Sequence, residues 1–328
     1  MRIAVTGSIA TDHLTFFPGR FTEQLLPDQL AHVSLSFLVD RLEVRRGGVA
    51  ANIAFGLGGL GLDPLLIGAV GADFADHEVW LKEHGVDTGG VVVSAERHTA
   101  RFMCTTDADA NQIAAFYAGA MTEARTIDLT RLPVGPERLG LVVVAANDPV
   151  AMVRHTHQCR RLGIPFAADP SQQLATLDGA EARDLIEGAR WLFTNEYEAA
   201  LLREHTGWRT RDVLERVGTW ITTLGERGVR IRRAADGLDL TVPAVADVPV
   251  VDPTGVGDAF RAGFLAATGW GLPVDCAARL GCALAAQSLS AVGSQTYDPA
   301  SPALLATVAR GYGSAMADQL APHLEGIR

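Results

Sequence analysis

The chain contains a single lysine, Lys82, although it has 328 residues. P-loop enzymes that bind nucleotides require a Gly-x-x-x-x-Gly-Lys-Ser/Thr loop, and protein kinases require a strand lysine that contacts the phosphates. Lys82 fits neither pattern, because it lies beside Trp80 and Glu83 in a segment typical of a surface helix. Both classes are therefore excluded. If a protein of this composition handles nucleotide phosphates, it must use backbone amides, helix N-termini, arginine and Mg²⁺.

Long apolar runs are also missing. Even the longest of them, such as residues 141–146, have the length of a strand, whereas a membrane-spanning helix needs about 20 apolar residues. The apolar stretch at residues 3–10 is too short for the core of a signal peptide and contains Thr6, Gly7 and Ser8. We therefore expect a cytoplasmic protein with no membrane partner.

Cysteine is scarce and the basic residues are dispersed. Cys104, Cys159, Cys276 and Cys282 form no Cys-x-x-Cys pair, so we expect reduced, mostly buried thiols in a cytosol rather than disulfides. The formal net charge is −10, and adjacent arginines occur only as pairs such as Arg45-Arg46. Because binding to a nucleic-acid backbone needs a basic surface, we expect no nucleic-acid partner.

Apolar stretches of strand length alternate with stretches of helical period along most of the chain. The predicted strands are residues 3–6, 64–70, 91–93, 141–144, 165–168, 191–194 and 221–224, the last followed by a hairpin-like stretch to residue 242. The predicted helices are residues 49–60, 74–84, 149–162 and 196–205. This alternation predicts an α/β fold, a doubly wound, mostly parallel sheet with helices on both faces, in one domain over residues 1–328. Functional residues are expected just after the strands, because ligands of such folds bind beyond the carboxyl ends of the sheet.

Two segments interrupt the alternation, at about residues 11–46 and 97–118. Both carry aromatic and β-branched residues in short alternating runs, for example residues 33–39 and 99–106, without a helical period. They predict a small separate β sheet inserted in the domain. Such a sheet can cover the strand ends as a lid that excludes water, or it can pair with a second subunit, and the two roles are compatible.

The most informative motif is Asp252-Pro253-Thr254-Gly255-Val256-Gly257-Asp258. An apolar alternating run at residues 248–251 precedes it and residues of helical period follow, so we expect a turn between a strand and a helix N-terminus. The glycines let successive amides point into one concavity, and the helix dipole adds positive potential that suits a phosphoryl group. A phosphate would repel Asp258, which suggests that Asp258 accepts a proton from an attacking hydroxyl. The alternative is that Asp258 only caps the helix.

Polar residues also follow other predicted strands. Asp12 ends the stretch Gly7-Ser8-Ile9-Ala10-Thr11-Asp12, and Gly47-Gly48 precede Asn52 on the first turn of a helix. Asp12 and Asn52 can bond to vicinal hydroxyls of a sugar, while Gly48 permits close approach. The alternatives are a turn for Asp12 and a satisfied helix-start residue for Asn52. Residues 168–173 place further polar groups after another strand.

Two more strand ends have both a functional and a structural interpretation. Asn195 and Glu198 present an amide and a carboxylate on one face of a helix start, which suits hydrated Mg²⁺ or a water beside a phosphate. They also fit a capping box. Residues 223–228 end the next strand with two glycines, as a turn that binds nucleotide phosphates or as a hairpin turn.

Together these motifs resemble the ribokinase-like (PfkB) family of sugar and nucleoside kinases. The residues that carry the resemblance are Gly47-Gly48-x-x-x-Asn52, Asn195-x-x-Glu198, Thr223-x-Gly225-x-x-Gly228 and Asp252-x-Thr254-Gly255-x-Gly257-Asp258. The resemblance covers essentially the whole chain, and the last motif is highly specific for the family. Residues 5–12, 34–40, 98–102 and 168–173 look like the corresponding parts of the adenosine kinases of actinobacteria within it.

The resemblance implies an ATP-dependent adenosine kinase that makes AMP. Asp258 would be the general base on the 5′-hydroxyl, with the amides of Gly255, Val256 and Gly257 as the anion hole for the γ-phosphoryl group. The implied nucleoside site consists of Asp12, Gly48 and Asn52 around the ribose and of Ser8, Ser36, Phe102, Phe116, Met121, Gln172 and Gln173 around the base. The implied ATP site consists of Asn195, Thr223, Gly225, Glu226 and Gly228, with Asn195 and Glu198 organising Mg²⁺ through water and Asp252 and Thr254 near a monovalent cation such as K⁺. The implied partners are adenosine, ATP and a second copy that docks on the lid sheet.

The chain departs from relatives in two places. Pro253 and Val256 stand where small or hydroxylated residues are common, which spares the glycines and the acid. Residues 109–112 lack the lid arginine of eukaryotic adenosine kinases, and Arg101 is one hypothesis for its substitute. Two alternative functions stay open: a sugar kinase of the ribose or fructose type, which would need less aromatic surface in the lid, and a nucleoside sensor without turnover. The pair His155 and His157 is interpreted as surface residues, because residues two apart on a helix face apart.

Overall fold

In the computed structural model, residues 2–25, 35–299, 302–325 and 327 are described, and they form thirteen strands and eleven α-helices. The strands are β1 (Arg2–Thr6), β2 (Ala10–Phe16), β3 (Arg41–Gly47), β4 (Leu65–Val70), β5 (Asp87–Val93), β6 (Ala100–Thr106), β7 (Gln112–Tyr117), β8 (Leu139–Val144), β9 (Phe166–Ala168), β10 (Trp191–Asn195), β11 (Thr219–Thr223), β12 (Val229–Arg233) and β13 (Leu238–Val242). The helices are α1 (Phe21–Gln24), α2 (Val49–Gly59), α3 (Ala75–Glu83), α4 (Pro149–Leu162), α5 (Gly179–Ile186), α6 (Glu196–Thr206), α7 (Thr210–Leu214), α8 (Val256–Gly269), α9 (Val274–Leu289), α10 (Pro302–Tyr312) and α11 (Ser314–Leu324). The predicted alternation of strands and helices is confirmed.

Nine strands form the main sheet, in the order β13-β12-β11-β10-β9-β8-β1-β4-β5. From β11 to β5 every neighbouring pair is parallel, and β12 and β13 continue the sheet as antiparallel strands. The strand order reverses beside β1, which pairs with β8 on one side and β4 on the other. In open α/β sheets such a reversal creates a crevice at the carboxyl ends of the strands.

Helices cover both faces of the main sheet. Successive side chains of a strand point to opposite faces, and here both sets are apolar, so each face needs a covering layer. Ile3 and Val5 of β1 belong to one apolar core with α2, α8 and α9, whereas Ala4 belongs to the other with α4, α5 and α6. Burial on both faces explains why the strands are continuous apolar runs in the sequence. The four cysteines are buried and free. Among the described residues no helix is long and apolar enough to cross a membrane.

The predicted small sheet is present, with four strands in the order β3-β2-β6-β7. Its register aligns Arg45, Asp12, Phe102 and Phe116 in one row across the four strands, so their side chains share a face. We call this the inner face, because Arg45 reaches from it to Asp252 at the start of the signature turn. The next row, on the outer face, contains Val44, His13, Met103 and Ala115.

Two predicted strands are wrong. Residues 33 and 34 lie outside the described residues, and residues 35–39 form no strand, because Phe37 instead packs its ring 4.9 Å from that of Phe17 and 5.1 Å from that of Phe21. The strand of this region is β3, which begins at Arg41.

Residues 248–251 also form no strand. Pro249 and Pro253 lack the N–H that a ladder requires, and Val250 and Val251 are 74% and 51% exposed. The segment is anchored instead by the N–H groups of Val251 and Asp252, which both donate to the Leu289 carbonyl at the end of α9. The apolar alternation here therefore does not reflect burial in the sheet.

Candidate active site

The signature turn leads directly into α8, with Gly255 as the N-cap residue. Its φ of 75° lies in the left-handed region, and a Cβ there would lie 2.4 Å from the Cβ of Ser294, so only glycine fits. No side chain caps the helix, which leaves the first-turn amides available to an anion. Asp258 is the third residue of α8, and its carboxylate does not bond to the turn. The hypothesis that Asp258 is only a helix cap is therefore wrong.

The Asp258 carboxylate is the end point of a chain of side-chain hydrogen bonds. Asn52 of α2 donates to it through Nδ2 over 2.8 Å. The Asn52 Oδ1 accepts from Ser294 Oγ and from Gln295 Nε2, each over 2.9 Å. Because Gln295 Oε1 is an acceptor, the buried His77 donates to it through Nε2 over 3.0 Å. Every donor in the chain from His77 to Asn52 points toward Asp258, which favours negative charge on that carboxylate.

Asp258 has the ionisation behaviour expected of a general base. Burial raises its pKa to about 7, while the charge of Arg261 and the bond from Asn52 oppose the rise. The charges of Asp169 and Glu198 add to the increase. The residue keeps partial solvent exposure, so a substrate hydroxyl can reach it. A pKa near the working pH gives the best compromise between the fraction of the carboxylate that is ionised and its affinity for a proton.

Asp12 lies on the inner face of the small sheet, directly opposite Arg45. Burial raises the pKa of Asp12 to about 6, and the positive charge of Arg45 opposes that rise. No hydrogen bond from the described residues reaches its carboxylate. Asp12 is therefore a half-buried acceptor with unused capacity, which suits a ligand hydroxyl better than the alternative of a simple turn residue.

The carboxylate of Asp252 is fully engaged by protein donors. Its Oδ2 accepts from Arg45 Nη1 over 2.7 Å and from the Gly293 N–H over 3.0 Å, and its Oδ1 accepts from the Thr254 N–H over 2.9 Å. A guanidinium thus stands where the sequence predicts a monovalent cation. The contacts give no support to a K⁺ site on the Asp252 side chain.

Arg101, the hypothetical substitute for the missing lid arginine, lies on the outer face of the small sheet. Arg101 directly precedes Phe102 on β6, so the two side chains point to opposite faces. Arg101 donates to Asp73 over 2.6 Å. The inner-face cation beside Asp12 is Arg45 instead. Because the side-chain period of a strand is two, the spacing of Arg101 from Phe102 excludes a shared face.

Part of the predicted base site assembles on the inner face. Phe102 is half-buried and Phe116 is 52% exposed, in the same row as Asp12. Met121 is buried with Ala10 and Ala100 at the start of the adjacent strands. Two aromatic rings therefore share the inner face with Asp12, and a flexible thioether is buried at the start of the same strands.

Other residues of the predicted nucleoside site show local contacts. The buried Ser8 accepts from the Val49 N–H through Oγ over 3.0 Å, and a Cβ at Gly48 would lie 2.6 Å from the Ser8 carbonyl. Ser36 is exposed in the irregular stretch before β3. Gln172 is exposed and accepts from Ser171, whereas Gln173 accepts from Thr176. The structure thus joins Ser8 and Gly48 to the β1 end of the site, and places the two glutamines on a neighbouring turn after β9.

Asn195 and Glu198 form the capping box that was the structural alternative for this pair. Asn195 Oδ1 accepts from the Glu198 N–H over 2.8 Å, and Glu198 Oε2 accepts from the Asn195 N–H over 2.7 Å. Burial, and next the charge of Asp169, raise the pKa of Glu198. In the described part of the chain no group of three or more His, Cys, Asp or Glu side chains is arranged to hold a metal. The carboxylate nevertheless uses only Oε2 in this box, so Oε1 fits a bound water.

Residues 223–228 form the hairpin turn between β11 and β12. The Leu224 N–H donates to the Gly228 carbonyl over 2.7 Å, and Gly225 and Gly228 have φ values of 60° and 93°. Arg227 pairs with Glu196 at the start of α6 over 2.5 Å, which ties this turn to the Asn195 region. Glu226 is exposed. The turn is a hairpin by geometry, and its contact with ATP stays a prediction.

Several residues around Asp258 were missed from the sequence. The signal for Arg261 is a cation three residues after Asp258 in an otherwise apolar helical stretch, because a charge there must be buried with a partner. His77, Ser294 and Gln295 carry no such signal.

The prediction of a surface location for His155 is wrong: it is fully buried and bonded to Thr6 Oγ1 over 3.0 Å.

Comparison with known proteins gives consistent matches over the whole domain. The family model described as pfkB family carbohydrate kinase matches residues 8–301. The nucleoside kinase of Methanocaldococcus jannaschii is 30% identical over 255 residues, which cover 77% of this chain and 82% of that protein. The structure of Burkholderia thailandensis nucleoside kinase in complex with inosine aligns with a TM-score of 0.82 and 36% identity, over 95% of this chain and 98% of that one. The same kinase in complex with ADP-inosine gives 0.80 and 37%, over 95% and 96%.

Proposed function

The chain belongs to the pfkB family of carbohydrate kinases, and on this premise we propose that it is an ATP-dependent nucleoside kinase that converts adenosine to AMP. The observation that carries the proposal is Asp258, a carboxylate with a pKa of about 7 beside the uncapped amides at the start of α8. A base and an anion site in direct succession are what transfer of a phosphoryl group to a hydroxyl requires. A nucleoside sensor without turnover would need neither.

In the proposed reaction Asp258 accepts the proton of the 5′-hydroxyl as the oxygen attacks the γ-phosphorus of ATP. A bond forms between that oxygen and the phosphorus, the bond from the phosphorus to the β,γ-bridging oxygen breaks, and ADP leaves. The amides of Gly255, Val256 and Gly257 stabilise the negative charge on the transferring group. Asn52 holds the Asp258 carboxylate in position for the proton transfer.

The nucleoside is proposed to lie between the signature turn and the inner face of the small sheet. Asp12, Gly48 and Asn52 would contact the ribose, and Phe102 and Phe116 would stack on the base, with Ser8, Ser36, Met121, Gln172 and Gln173 around it. A relative that binds inosine supports a purine nucleoside. The choice of adenosine within that class rests on the sequence resemblance to adenosine kinases.

ATP is proposed to lie along the carboxyl ends of β10 and β11, against Asn195, Thr223, Gly225, Glu226 and Gly228. Asn195 and Glu198 would hold Mg²⁺ through water. When bound, Mg²⁺ would neutralise negative charge on the phosphates of ATP. K⁺ is left out of the proposed machinery, because Arg45 already engages the Asp252 carboxylate.

The small sheet is proposed to act as a lid over the nucleoside and as the docking surface of a homodimer. Its outer face is unusually apolar for a solvent-facing surface, with Leu42, Val44, Met103, Ile113 and Tyr117 between 41% and 60% exposed. Because both faces carry apolar side chains, one can meet the substrate while the other meets a second copy. Sedimentation velocity that shows only monomer at micromolar concentration would contradict the dimer.

Replacing Asp258 by Asn tests the mechanism. The variant keeps a hydrogen-bonding side chain but cannot accept a proton, so kcat for ADP release with adenosine should fall by roughly 10²–10⁴-fold, the usual contribution of a general base. The dissociation constant for adenosine, measured by calorimetry, should change only a few-fold. If the variant binds adenosine and keeps most of the wild-type kcat, Asp258 is not the base.

A further inference from the structure

A buried ion pair lies directly behind Asp258 and has no part in the mechanism so far. Arg261 is one helical turn along α8, and Asp169 follows β9; they are 6% and 0% exposed. Arg261 Nη2 donates to Asp169 Oδ1 over 2.6 Å, and Arg261 Nε lies 2.6 Å from Asp169 Oδ2. The pair therefore has one charge-assisted hydrogen bond, through Nη2, and one close ionic contact, through Nε, that lacks hydrogen-bond geometry.

Two further contacts fix the Arg261 side chain, and the glycine at position 257 leaves space for it. Its Nη1 donates to the Gly257 carbonyl over 2.9 Å, within the turn that carries the proposed anion hole. Its guanidinium carbon lies 5.6 Å from the centroid of the Phe193 ring. A Cβ at Gly257 would lie 2.9 Å from Nη1, so the absence of a side chain at Gly257 makes room for the guanidinium. Arg261 is thus held at a set distance from the signature turn.

Three charged side chains and one neutral phenol from the surrounding elements act on Asp258 or lie near it, while α2 contributes the neutral Asn52. Asp169 approaches from the end of β9 and Glu198 from α6, both acidic, and the buried Tyr297 hydroxyl faces it from the segment after α9. Arg261, on the same helix, is the one cation that acts on Asp258 among these described residues. Without Arg261, three carboxylates would share a poorly hydrated space with no compensating charge, and the proton would be retained by at least one of them.

We propose that Arg261, clamped by Asp169, is the internal counter-ion of Asp258 and keeps that carboxylate in the form that accepts the substrate proton. Arg261 and Asp169 are then positioning residues for the proposed phosphoryl transfer, and this inference rests on that function. Asp169 has two opposed effects. It fixes the guanidinium, but its own negative charge partly cancels the benefit that Arg261 confers on Asp258.

The two partners should therefore change the pH dependence in opposite directions. Arg261→Met removes the cation, so the acid limb of the kcat/KM profile with adenosine should move up by about one pH unit or more. Asp169→Asn removes a neighbouring negative charge, so the acid limb should move down. A role in folding alone would lower activity at all pH values without moving the limb. The matched control is Arg279→Met on α9, which breaks the more exposed ion pair with Asp275 and should leave the limb in place.

A second measurement is independent of turnover. Asp258→Asn is made in the wild type, in Arg261→Met and in Asp169→Asn, and the unfolding free energy is measured with and without it over a range of pH. The pH dependence of the difference gives the midpoint at which Asp258 ionises in the folded protein. The midpoint should rise with Arg261→Met and fall with Asp169→Asn. If Arg261→Met does not fold, the direction found for Asp169→Asn decides. If the midpoint is unchanged in the variants that fold, the inference is wrong. If the midpoints shift but the protein phosphorylates no nucleoside, the role of Arg261 and Asp169 as the charge environment of Asp258 stands and the proposed function is wrong.

Discussion

At the scale of single residues, Asp258 is held where its charged form is unfavourable for stability. Its pKa of about 7 lies well above the ordinary value of 3.8, because burial is only partly offset by Arg261 and Asn52. Between these two values the folded protein retains a proton that the unfolded chain has released. The contribution of this group to stability therefore falls as the pH rises through that window. Strain of this kind is typical of functional sites.

Asn at position 258 cannot ionise, so Asp258→Asn should be more stable than the wild type at pH 8. The difference in unfolding free energy between the variant and the wild type should be about 2 kcal/mol larger at pH 8 than at pH 5. Urea unfolding at several pH values measures the difference. Asp239→Asn is the control, because an exposed ion pair with Arg230 lowers the pKa of Asp239 and its titration lies below this range. A stability difference for Asp258→Asn that stays constant from pH 5 to pH 8 would contradict the account.

The sequence identified Asp258, its glycine turn and Asn52, but it did not predict the bond from Asn52 to the Asp258 carboxylate or the role of Arg261. Asn52 contacts Asp258 across 206 positions of chain, and Arg261 meets Asp169 across 92. Such pairings depend on how helices pack against the sheet, and no local pattern encodes them. Ser294 and Gln295 lie in an irregular segment after α9, where neither period nor motif marks them.

At the scale of elements, the alternation of side chains along each strand gives the small sheet two different faces, one for each of its proposed roles. Phe102 and Met103 are neighbours on β6 but belong to opposite faces. The inner row contains Asp12 and the two phenylalanines, whereas the outer row is an apolar surface. A substitution at either residue should therefore affect only one kind of contact.

Phe102→Ala should weaken adenosine binding by roughly 10- to 100-fold, since stacking of one base on an aromatic ring contributes about 1–3 kcal/mol. The KM for ATP should change much less, because ATP is proposed to lie on the other side of the site. Met103→Ala, on the outer face of the same strand, is the control and should leave adenosine affinity intact. Steady-state kinetics with each substrate varied in turn would reveal the opposite result, an equal loss for adenosine and ATP.

Prediction of elements from sequence succeeded where burial alone sets the pattern. The strands of the main sheet are covered on both sides, so their apolar runs are unambiguous, and α4 was predicted from Pro149 to Leu162 as observed. Residues 35–39 and 248–251 have the same alternating pattern but no neighbouring strand. Pro249 and Pro253 signal this in the second case; in the first, the aromatic cluster around Phe37 forms only in three dimensions.

At the scale of the whole molecule, the parallel sheet gathers residues that are far apart in the chain. Ser8, Asp169, Asn195 and Thr223 each come at or just after the carboxyl end of a parallel strand, so all lie along one edge. The signature turn of α8 meets this edge from one side, and the small sheet meets it through Arg45 and Asp252. The motifs that resemble a kinase therefore lie along one edge of the sheet, the edge at which ligands of such folds bind.

The most direct test of the account is ADP release from ATP and Mg²⁺ with adenosine, guanosine, inosine, ribose and fructose offered separately. We expect turnover with adenosine to exceed that with the other nucleosides, and turnover with the free sugars to be negligible, because a sugar leaves the aromatic rings of the small sheet without a partner. Preference for inosine or guanosine would retain the nucleoside site and reject adenosine. Turnover with ribose or fructose alone would contradict the central claim that this is a nucleoside kinase.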